Sequence, residues 1–291
     1  MSRQGDLDRA IDMALDGLQT AVGLTHCMAF LADHERQVLT AIASRGYDRQ
    51  GAGAEVHFGE GVVGMAAAGL QALRFSCVVR HFLYMNGVKA ADLFSPDPER
   101  RIPMPGLDAP QSLLAVPMIA GGELRGLIFA EDIERLAFSP DDTRAVELIA
   151  AQLGAIVALS YSGPEPEPNN GHTAHADRVA FVPQTPIRVE HYSYDDSVFI
   201  NRDYVIKGVP GRLLWRMLSD NARDGRTEFT NREFRLDGSL KLPDYKDNLE
   251  TRLLLLGRRL AENDWPVRIE RIGRGRLGLI VRGTLVLTEH P

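Results

Sequence analysis

The sequence predicts an α+β fold in two modules, and three observations support that prediction. In both halves of the chain, apolar residues at helical spacing alternate with short apolar runs typical of strands. Residues 161–176 are rich in Pro, Glu, Asn and Gly and lack periodicity, as exposed linkers do. The charge also differs across this segment: residues 1–176 carry 13 Lys+Arg against 22 Asp+Glu, and residues 177–291 carry 20 against 17. We therefore expect domains at 1–160 and 177–291, joined by a linker at 161–176.

The composition is typical of a soluble protein. Hydrophobic residues make up 44% and charged residues 25% of the chain, which is the balance of a globular domain. The opening MSRQGDLDRA contains acids and no apolar run, unlike a signal peptide, and the uncharged LIAAQLGAIVALSY is too short to span a bilayer. We expect a cytoplasmic protein without a membrane partner. The net charges of −9 and +3 favour a polyanion partner for the second module alone.

The first module has the element order of a helix, two strands, a long excursion, a hairpin and a final helix. Strand candidates are HCMAFLAD, VLTAIASRGY, SLLAVPMIA and ELRGLIFAED, the last two joined by Gly121-Gly122. The first helix is expected over residues 6–22, and the last helix begins after a cap at Ser139. This order predicts an antiparallel sheet flanked by helices.

This module resembles a GAF domain over residues 6–160. The resemblance is carried by SRGY, FGEGVVGMAA, LLAVPM, GELRGLIFAED and FSPDD before the last helix. It implies an input module that senses a small molecule, forms a homodimer through its terminal helices, or does both. It names no ligand. The expected dimer surface is formed by the helices at 6–22 and 140–160 and includes Ile149, Leu153 and Val157.

Several residues of the first module are candidates for a site. An unidentified small molecule, the only cofactor-like group expected, would contact aromatic and methionine side chains, although such residues also fill ordinary cores. These candidates are Phe58, Met65, Phe82, Tyr84 and Met118. Cys27 beside His26, and Cys77 four residues before His81, are candidate redox residues, but free cysteines are usually small buried hydrophobes. Two cysteines complete no metal site, so we expect neither a metal nor an enzyme.

The second module contains three helix candidates followed by a hairpin. Thr230 with Glu233, and Asp247 with Glu250, are capping pairs that begin the second and third helices. The third helix has a buried leucine stripe composed of Leu249, Leu253, Leu256 and Leu260. Its expected exposed face carries Asn248, Thr251, Leu255 and Arg258, with Arg252 and Arg259 on one flank. The hairpin turns at Gly273-Arg274-Gly275.

This order resembles the winged-helix output domain of OmpR-type response regulators over about residues 195–288. The resemblance is carried by NLETRLLLLGRRLAEND and RIERIGRGRLGL, which are similar to that family's recognition helix and wing. It implies binding to double-stranded DNA. The residues implied are Asn248, Thr251, Arg252, Arg258 and Arg259 on the helix and Arg274 and Arg276 in the wing. Glu250 and the pair Leu254-Leu255 make this helix less basic and more apolar than the family pattern.

The two resemblances together predict a transcription regulator with a sensing or dimerising module and a DNA-binding module. The alternative is a signalling adaptor whose winged helix docks on RNA polymerase or a signalling protein, which the apolar Leu254 and Leu255 favour. A third interpretation comes from GAF relatives that reduce free methionine sulfoxide, but their motif cannot be placed on Cys27 and Cys77 alone. No glycine-rich phosphate loop supports nucleotide hydrolysis.

Overall fold

A six-stranded antiparallel sheet forms the centre of the first module in the computed structural model. The structure describes residues 3–76, 102–161, 186–240, 242, 249–273 and 275–291. The strands are β1 (His26–Asp33), β2 (Val38–Arg45), β3 (Glu55–His57), β4 (Leu73–Phe75), β5 (Ser112–Ala120) and β6 (Glu123–Asp132). Their order across the sheet is β3-β2-β1-β6-β5-β4, and each neighbouring pair is antiparallel. The predicted mixture of helices with an antiparallel sheet is confirmed.

The two faces of this sheet carry two separate cores. Helices α1 (Arg3–Gly17), extended by a π-helical turn over Leu18–Val22, and α3 (Pro140–Tyr161) pack on one face. The shorter α2 (Gly61–Gly69), which the sequence did not resolve from its surroundings, packs on the other. Because side chains alternate along a strand, Cys27 points to the first core and Met28 to the second. We call the first the helix face, and the second, which includes the predicted ligand contacts Phe58 and Met65, the ligand face.

The ends of the long helix α3 and of the β5–β6 hairpin follow from local chemistry. The Ser139 hydroxyl accepts the backbone N–H of Asp142 at 3.1 Å, and the Asp142 carboxylate accepts the N–H of Ser139 at 2.8 Å. This reciprocal capping satisfies N–H groups that have no partner within the helix. The hairpin turns through Gly121 and Gly122, both with positive φ, where glycine has no steric penalty.

The second module has two small sheets around three helices. Strands β7 (Ile187–Tyr192), β8 (Ser197–Ile200), β9 (Asp203–Ile206) and the C-terminal β13 (Leu285–His290) form one sheet, in which β13 lies parallel to β7. The helices are α4 (Gly208–Asp224), α5 (Asn231–Leu236) and α6 (Leu249–Glu262). The second sheet has the order β10-β12-β11, with β10 (Glu228–Thr230), β11 (Val267–Gly273) and β12 (Arg276–Val281). Three helices thus precede a hairpin, in the order expected.

Two ends in this module also follow from the residue types present. The Thr230 hydroxyl accepts the N–H of Glu233, which caps α5 as predicted. Gly225 ends α4 in the left-handed conformation. The start of α6 at Leu249 lies just after residues 243–248, so the proposed cap at Asp247 lies outside the described residues. The predicted linker likewise lies outside them from residue 162 onward.

The two modules contact each other directly. Helix α6 packs against β2 and α1 of the first module as well as against α4 and β11 of its own. The buried apolar residues of the helix face and of the second module belong to one continuous cluster. Helix α6 is therefore buried from both sides, which the sequence did not indicate.

A buried carboxylate, Asp220, should be essential to the fold of the second module. It is 2% exposed and accepts hydrogen bonds from Arg216 at 2.9 Å and from Arg223 at 2.8 Å. We expect Asp220→Asn to lower the free energy of unfolding by about 3 kcal/mol, because the arginines lose their shared buried partner. Denaturant unfolding measures the change. Asp224→Asn, an exposed position on the same helix, is the control and should unfold like the native chain; equal effects of both changes would contradict the assignment.

Candidate functional site

The ligand face is lined by apolar residues, and it includes two of the predicted ligand contacts. Phe58 and Met65 are half-buried and pack against the cluster formed by α2 and the sheet. Met118 is wrongly placed by the prediction: it lies 1% exposed on the opposite, helix face, because β5 alternates its side chains. Phe82 and Tyr84 lie outside the described residues.

A polar group that the sequence prediction missed lies on the ligand face. Glu131 in β6 is 4% exposed, and its carboxylate accepts the backbone N–H of Leu107 at 2.7 Å. Burial raises the pKa of Glu131 to about 7, although the Leu107 hydrogen bond and the neighbouring Tyr47 hydroxyl act in the opposite direction. The two-residue period of LIFAED would have placed Glu131 beside Leu127 and Phe129. A carboxyl that titrates near neutrality is a suitable sensor or ligand group.

The segment from Ile102 to Leu107 covers this face. Ile102 and Met104 pack against its apolar cluster, and Pro105 lies against Gly51 so closely that a Cβ there would be 2.2 Å from the proline ring. Gly53, with φ +96°, makes a similar approach to Ile102. The segment before β3 and the proline-rich cover are therefore in direct contact.

Cys27 lies in the core of the helix face. It is fully buried, and its Sγ lies 3.9 Å from the carbonyl oxygen of Leu15, which it contacts as a weak donor. Burial raises the pKa of this thiol to about 12, so the reactive thiolate is scarce at neutral pH. His26 does not assist it, since its ring nitrogen contacts the Thr25 hydroxyl. Cys77 and His81 lie outside the described residues. The surroundings of Cys27 favour the interpretation as a core residue over a redox site.

The residues predicted for a dimer surface face inward. Leu153 and Val157 are buried in the helix-face core, and Ile149 is half-buried against it. Gly154 approaches the backbone of Ile119 in β5, which brings this side of α3 close to the sheet. The outward side of α3 carries Leu148 and Leu159 instead, 69% and 65% exposed. The three predicted side chains serve the core of one chain, so a dimer surface on α3 would need different residues.

Helix α6 buries its leucine stripe as predicted, but its expected exposed face is covered by the first module. Leu254 and Leu255 are both buried. The Arg258 guanidinium donates to the Asp8 carboxylate at 2.7 Å, to the carbonyl oxygen of Asp8 at 3.1 Å and to that of Ile42 at 3.3 Å. It also lies 3.1 Å from the Asp12 carboxylate. The prediction that this face is open to solvent is therefore wrong in this conformation.

Further polar contacts join the two modules around α6. Arg252, 9% exposed, lies with its guanidinium 3.6 Å from the Asp33 carboxylate. At the other end of the helix, the Glu262 carboxylate accepts the backbone N–H of Ala52 at 2.7 Å. Burial raises the pKa of Glu262, and the Ala52 and Arg259 hydrogen bonds oppose that rise. The contact is thus mainly between acids of the first module and arginines of the second.

A further cross-module pair involves Glu55. The ammonium of Lys207 lies 3.6 Å from its carboxylate, which Arg36 also binds through both terminal nitrogens. Burial alone would raise the pKa of Glu55, but the Arg36 hydrogen bonds and the Lys207 charge outweigh it and lower the pKa. The Glu55 carboxylate is therefore bound by one cation from each module.

Arg259 stabilises its own module. Its guanidinium donates to the carbonyl oxygens of Val205 at 2.9 Å and Tyr204 at 3.2 Å, pairs with Glu262, and lies over the Trp265 ring. This arrangement fixes the end of α6 to β9. A guanidinium with these partners is a structural group, which differs from the DNA contact that the sequence resemblance implied.

The remaining predicted DNA contacts lie on the hairpin, on α6 or outside the described residues. Arg276 is 43% exposed and pairs with Glu228, while Thr251 is half-buried on α6. Asn248 and Arg274 lie outside the described residues. Arg271, which the prediction did not include, lies 3.2 Å from the carboxylate of Glu250 at the start of α6.

The described residues give little support for a metal site or for a membrane-spanning helix. Among them, no group of three or more His, Cys, Asp or Glu side chains could hold a metal ion. One described helix, Pro140–Ser160, is long and apolar enough to cross a membrane by length and composition. From the sequence we expected the uncharged part of this helix, LIAAQLGAIVALSY, to be too short to span a bilayer. The evidence for a span is weak, because a core helix of a soluble protein passes the same test and this helix packs on the sheet.

Comparison with known proteins gives one family match. A family model described as a GAF domain matches residues 4–158, a little more than half of the chain. Similar solved structures include the GAF domain of a phosphoenolpyruvate-protein phosphotransferase from Acinetobacter, with 19% identity, 57% of this chain and 89% of that chain covered, and a TM-score of 0.43. Another is the type II free methionine-R-sulfoxide reductase of Thermoplasma acidophilum, with 17% identity, coverage of 54% and 96%, and a TM-score of 0.40. No curated protein matches the chain.

The raised pKa of Glu131 makes stability depend on pH. Below pH 4.5, its ordinary pKa, the carboxyl is protonated in both the folded and the unfolded chain. Between pH 4.5 and about 7 only the unfolded chain releases the proton, so the native chain loses stability as the pH rises. Glu131→Gln removes this dependence. We expect the variant to match the native chain at pH 4.5 and to exceed it by about 3 kcal/mol above pH 7.

Denaturant unfolding across this pH range measures the difference between the two chains. The exposed Glu134→Gln, in the loop after the same strand, is the control and should follow the native curve. A difference between Glu131→Gln and the native chain that is constant with pH would contradict the raised pKa.

Proposed function

Because the chain belongs to the GAF domain family, whose members are signal-sensing modules, we propose that it is a cytoplasmic, signal-responsive transcription regulator. In this proposal the GAF domain senses the signal and mediates dimerisation, and the second module binds double-stranded DNA as an OmpR-type winged helix. Helix α6 would enter the major groove, and the β11–β12 hairpin would contact the backbone as the wing.

The observation that carries this proposal is the joining of α6 to the hairpin. Glu250, in the first turn of α6, lies 3.2 Å from Arg271 in β11 and is also hydrogen-bonded to Asn231 at the start of α5. The N–H of Asn231 donates to the carbonyl oxygen of Gly275 at the hairpin turn, at 2.9 Å. Helix α5, helix α6 and the hairpin therefore form one unit. A helix and wing must be held in this way to follow one groove and its flanking phosphates.

The placement of cations also supports DNA binding. Arg276 lies on the hairpin with 43% of its side chain exposed, and a guanidinium there can pair with two phosphate oxygens at once. The helical N-terminus of α6 favours negative charge. Glu250, which would oppose a phosphate there, is already paired with Arg271.

A second candidate function is a signalling adaptor whose α6 docks on a protein such as RNA polymerase or a signalling partner. One observation favours it: in this structure α6 already packs on a protein surface, with Leu254 and Leu255 buried. Leucines at such positions suit a protein partner better than a phosphate backbone. The adaptor predicts no salt-dependent binding to duplex, because it neutralises no phosphates.

The DNA-binding proposal is tested with the full chain on random-sequence duplex, by fluorescence anisotropy across a salt series. We expect affinity to fall as salt rises, and Arg276→Gln to weaken binding and reduce the salt slope by about one. Arg144→Gln, an exposed arginine on α3 that lies outside this unit, is the control. A salt slope that is the same in Arg276→Gln and in the control would contradict a wing contact. No salt-dependent binding at protein concentrations of about 10⁻⁴ M would favour the adaptor.

The proposed homodimer is expected to use the outward side of α3 and the neighbouring α1. Leu148, Leu159 and, on α1, Met13 are more than half exposed. We expect Leu148→Lys/Leu159→Lys to convert the dimer to a monomer, because burying two ammonium groups in an apolar contact is unfavourable. Light scattering coupled to size-exclusion chromatography gives the mass. Leu236→Lys, at a leucine of the second module that is 76% exposed, should leave the dimer intact; a native chain that is already monomeric would contradict the proposal.

A further inference from the structure

The face of α6 that would approach DNA is paired with carboxylates of the GAF domain. Arg258 contacts Asp8 and Asp12 on α1, and Arg252 faces Asp33 at the end of β1. The side chains of Arg258 and Arg252 retain only 17% and 10% of their exposure. These are the basic residues of α6 that point away from its own module, since Arg259 is bound to β9. A groove of DNA has no access to them in this arrangement.

Carboxylates and phosphates compete for the same donors. A guanidinium binds either anion through the same planar set of N–H groups, so each arginine can serve one partner at a time. The GAF domain supplies three carboxylates to two arginines along one side of the helix. The charge of −9 on residues 1–176 and +3 on 177–291 has the sign that such a contact requires.

The acidic surface is held in place by partners of its own. Asp12 accepts a hydrogen bond from Arg45 of the GAF domain at 2.8 Å. The second oxygen of Asp33 accepts the backbone N–H groups of Glu35 and Arg36, each at 3.2 Å, in the turn after β1. These carboxylates therefore keep their positions when α6 dissociates from the GAF domain, and α6 can bind to them again.

We infer that the GAF domain is an autoinhibitor of the second module, with Asp8, Asp12 and Asp33 occupying the arginines of α6 in place of DNA phosphates. The inference rests on the proposed function, whose regulation it specifies. DNA binding then requires the modules to separate, and the measured affinity is the intrinsic affinity reduced by the fraction of open chain.

A continuous set of contacts connects α6 to the ligand face. Glu262 of α6 accepts the N–H of Ala52. The neighbours of Ala52, Gly51 and Gly53, pack against Pro105 and Ile102 of the segment that covers the ligand face. The same segment donates from Leu107 to Glu131. A ligand that displaces this cover thus acts on the segment that holds the end of α6, which gives the sensing face a physical route to the closed contact.

The test compares the full chain with Asp8→Asn/Asp33→Asn. Removing two negative charges raises the affinity for DNA by itself, so the control is Asp16→Asn/Asp141→Asn, which changes the net charge equally. Asp16 pairs with Arg45 and Asp141 with Arg144, and neither is paired with α6. Duplex affinity is measured by anisotropy. Separation of the modules is measured without DNA by hydrogen exchange at the Ala52 amide, which is bonded across the contact.

We expect Asp8→Asn/Asp33→Asn to bind duplex about 5- to 150-fold more tightly than the control and to exchange the Ala52 proton faster. Unchanged exchange at Ala52, or faster exchange with the affinity of the control, overturns the inference while leaving DNA binding intact. Faster exchange with no duplex binding by any chain overturns the proposed function and leaves the closed contact standing.

Exchanging the charges of Arg258 and Asp8 distinguishes the loss of this contact from a folding defect. Arg258→Asp should expose the Ala52 amide, because like charges then face each other across the contact. Adding Asp8→Arg restores an attractive pair and should return the slow exchange. A double variant that exchanges as fast as Arg258→Asp alone would show that Arg258 and Asp8 do not hold the modules together.

Discussion

The contact of Arg258 with α1 is the constraint on which the arrangement of the two modules depends. One guanidinium binds a carboxylate, two backbone carbonyl oxygens and a second carboxylate, all on the GAF domain. Because it satisfies the carbonyl oxygens of Asp8 and Ile42 together, it fixes α6 against both α1 and β2. Leu254 and Leu255 of the same helix are buried beside it, while the paired Asp8 and Asp12 stay nearly half exposed. Arg252, Glu262 and Lys207 add further contacts between the modules, to Asp33, Ala52 and Glu55.

The two faces of the GAF sheet differ in the residues that they bury. The helix face supplies the core and buries the residues that a sequence pattern suggests for other roles, including Cys27, Met118 and Leu153. The ligand face keeps a buried carboxyl, Glu131, under a short proline-containing cover. The alternation of side chains along the strands thereby places the core that contains Cys27, Met118 and Leu153 on one side of the sheet and Glu131 on the other.

Much of the fold was predictable because periodicity and turn chemistry are local. The strands around Gly121-Gly122, the caps at Ser139 and Thr230 and the leucine stripe of α6 were all readable from neighbouring residues. The site was less predictable because its contacts are distant in sequence. Nothing near Arg258 indicates that its partner is Asp8, and the stripe on α6 does not reveal that Leu255 has a second cover. Only the opposite charges of the two halves hinted at the contact.

The strength of the closed contact decides whether it can act as a switch. Partly exposed ion pairs contribute on the order of 1 kcal/mol or less each, and Asp8 and Asp12 remain nearly half exposed while paired. The buried leucines add an apolar term that salt does not screen. A few ion pairs and this apolar contact together favour the closed chain. Their combined free energy lies within the roughly 5.5 kcal/mol of differential binding with which a ligand reverses a two-state population. The closed contact therefore combines ion pairs of partly exposed acids, which salt screens, with buried apolar residues, which it does not.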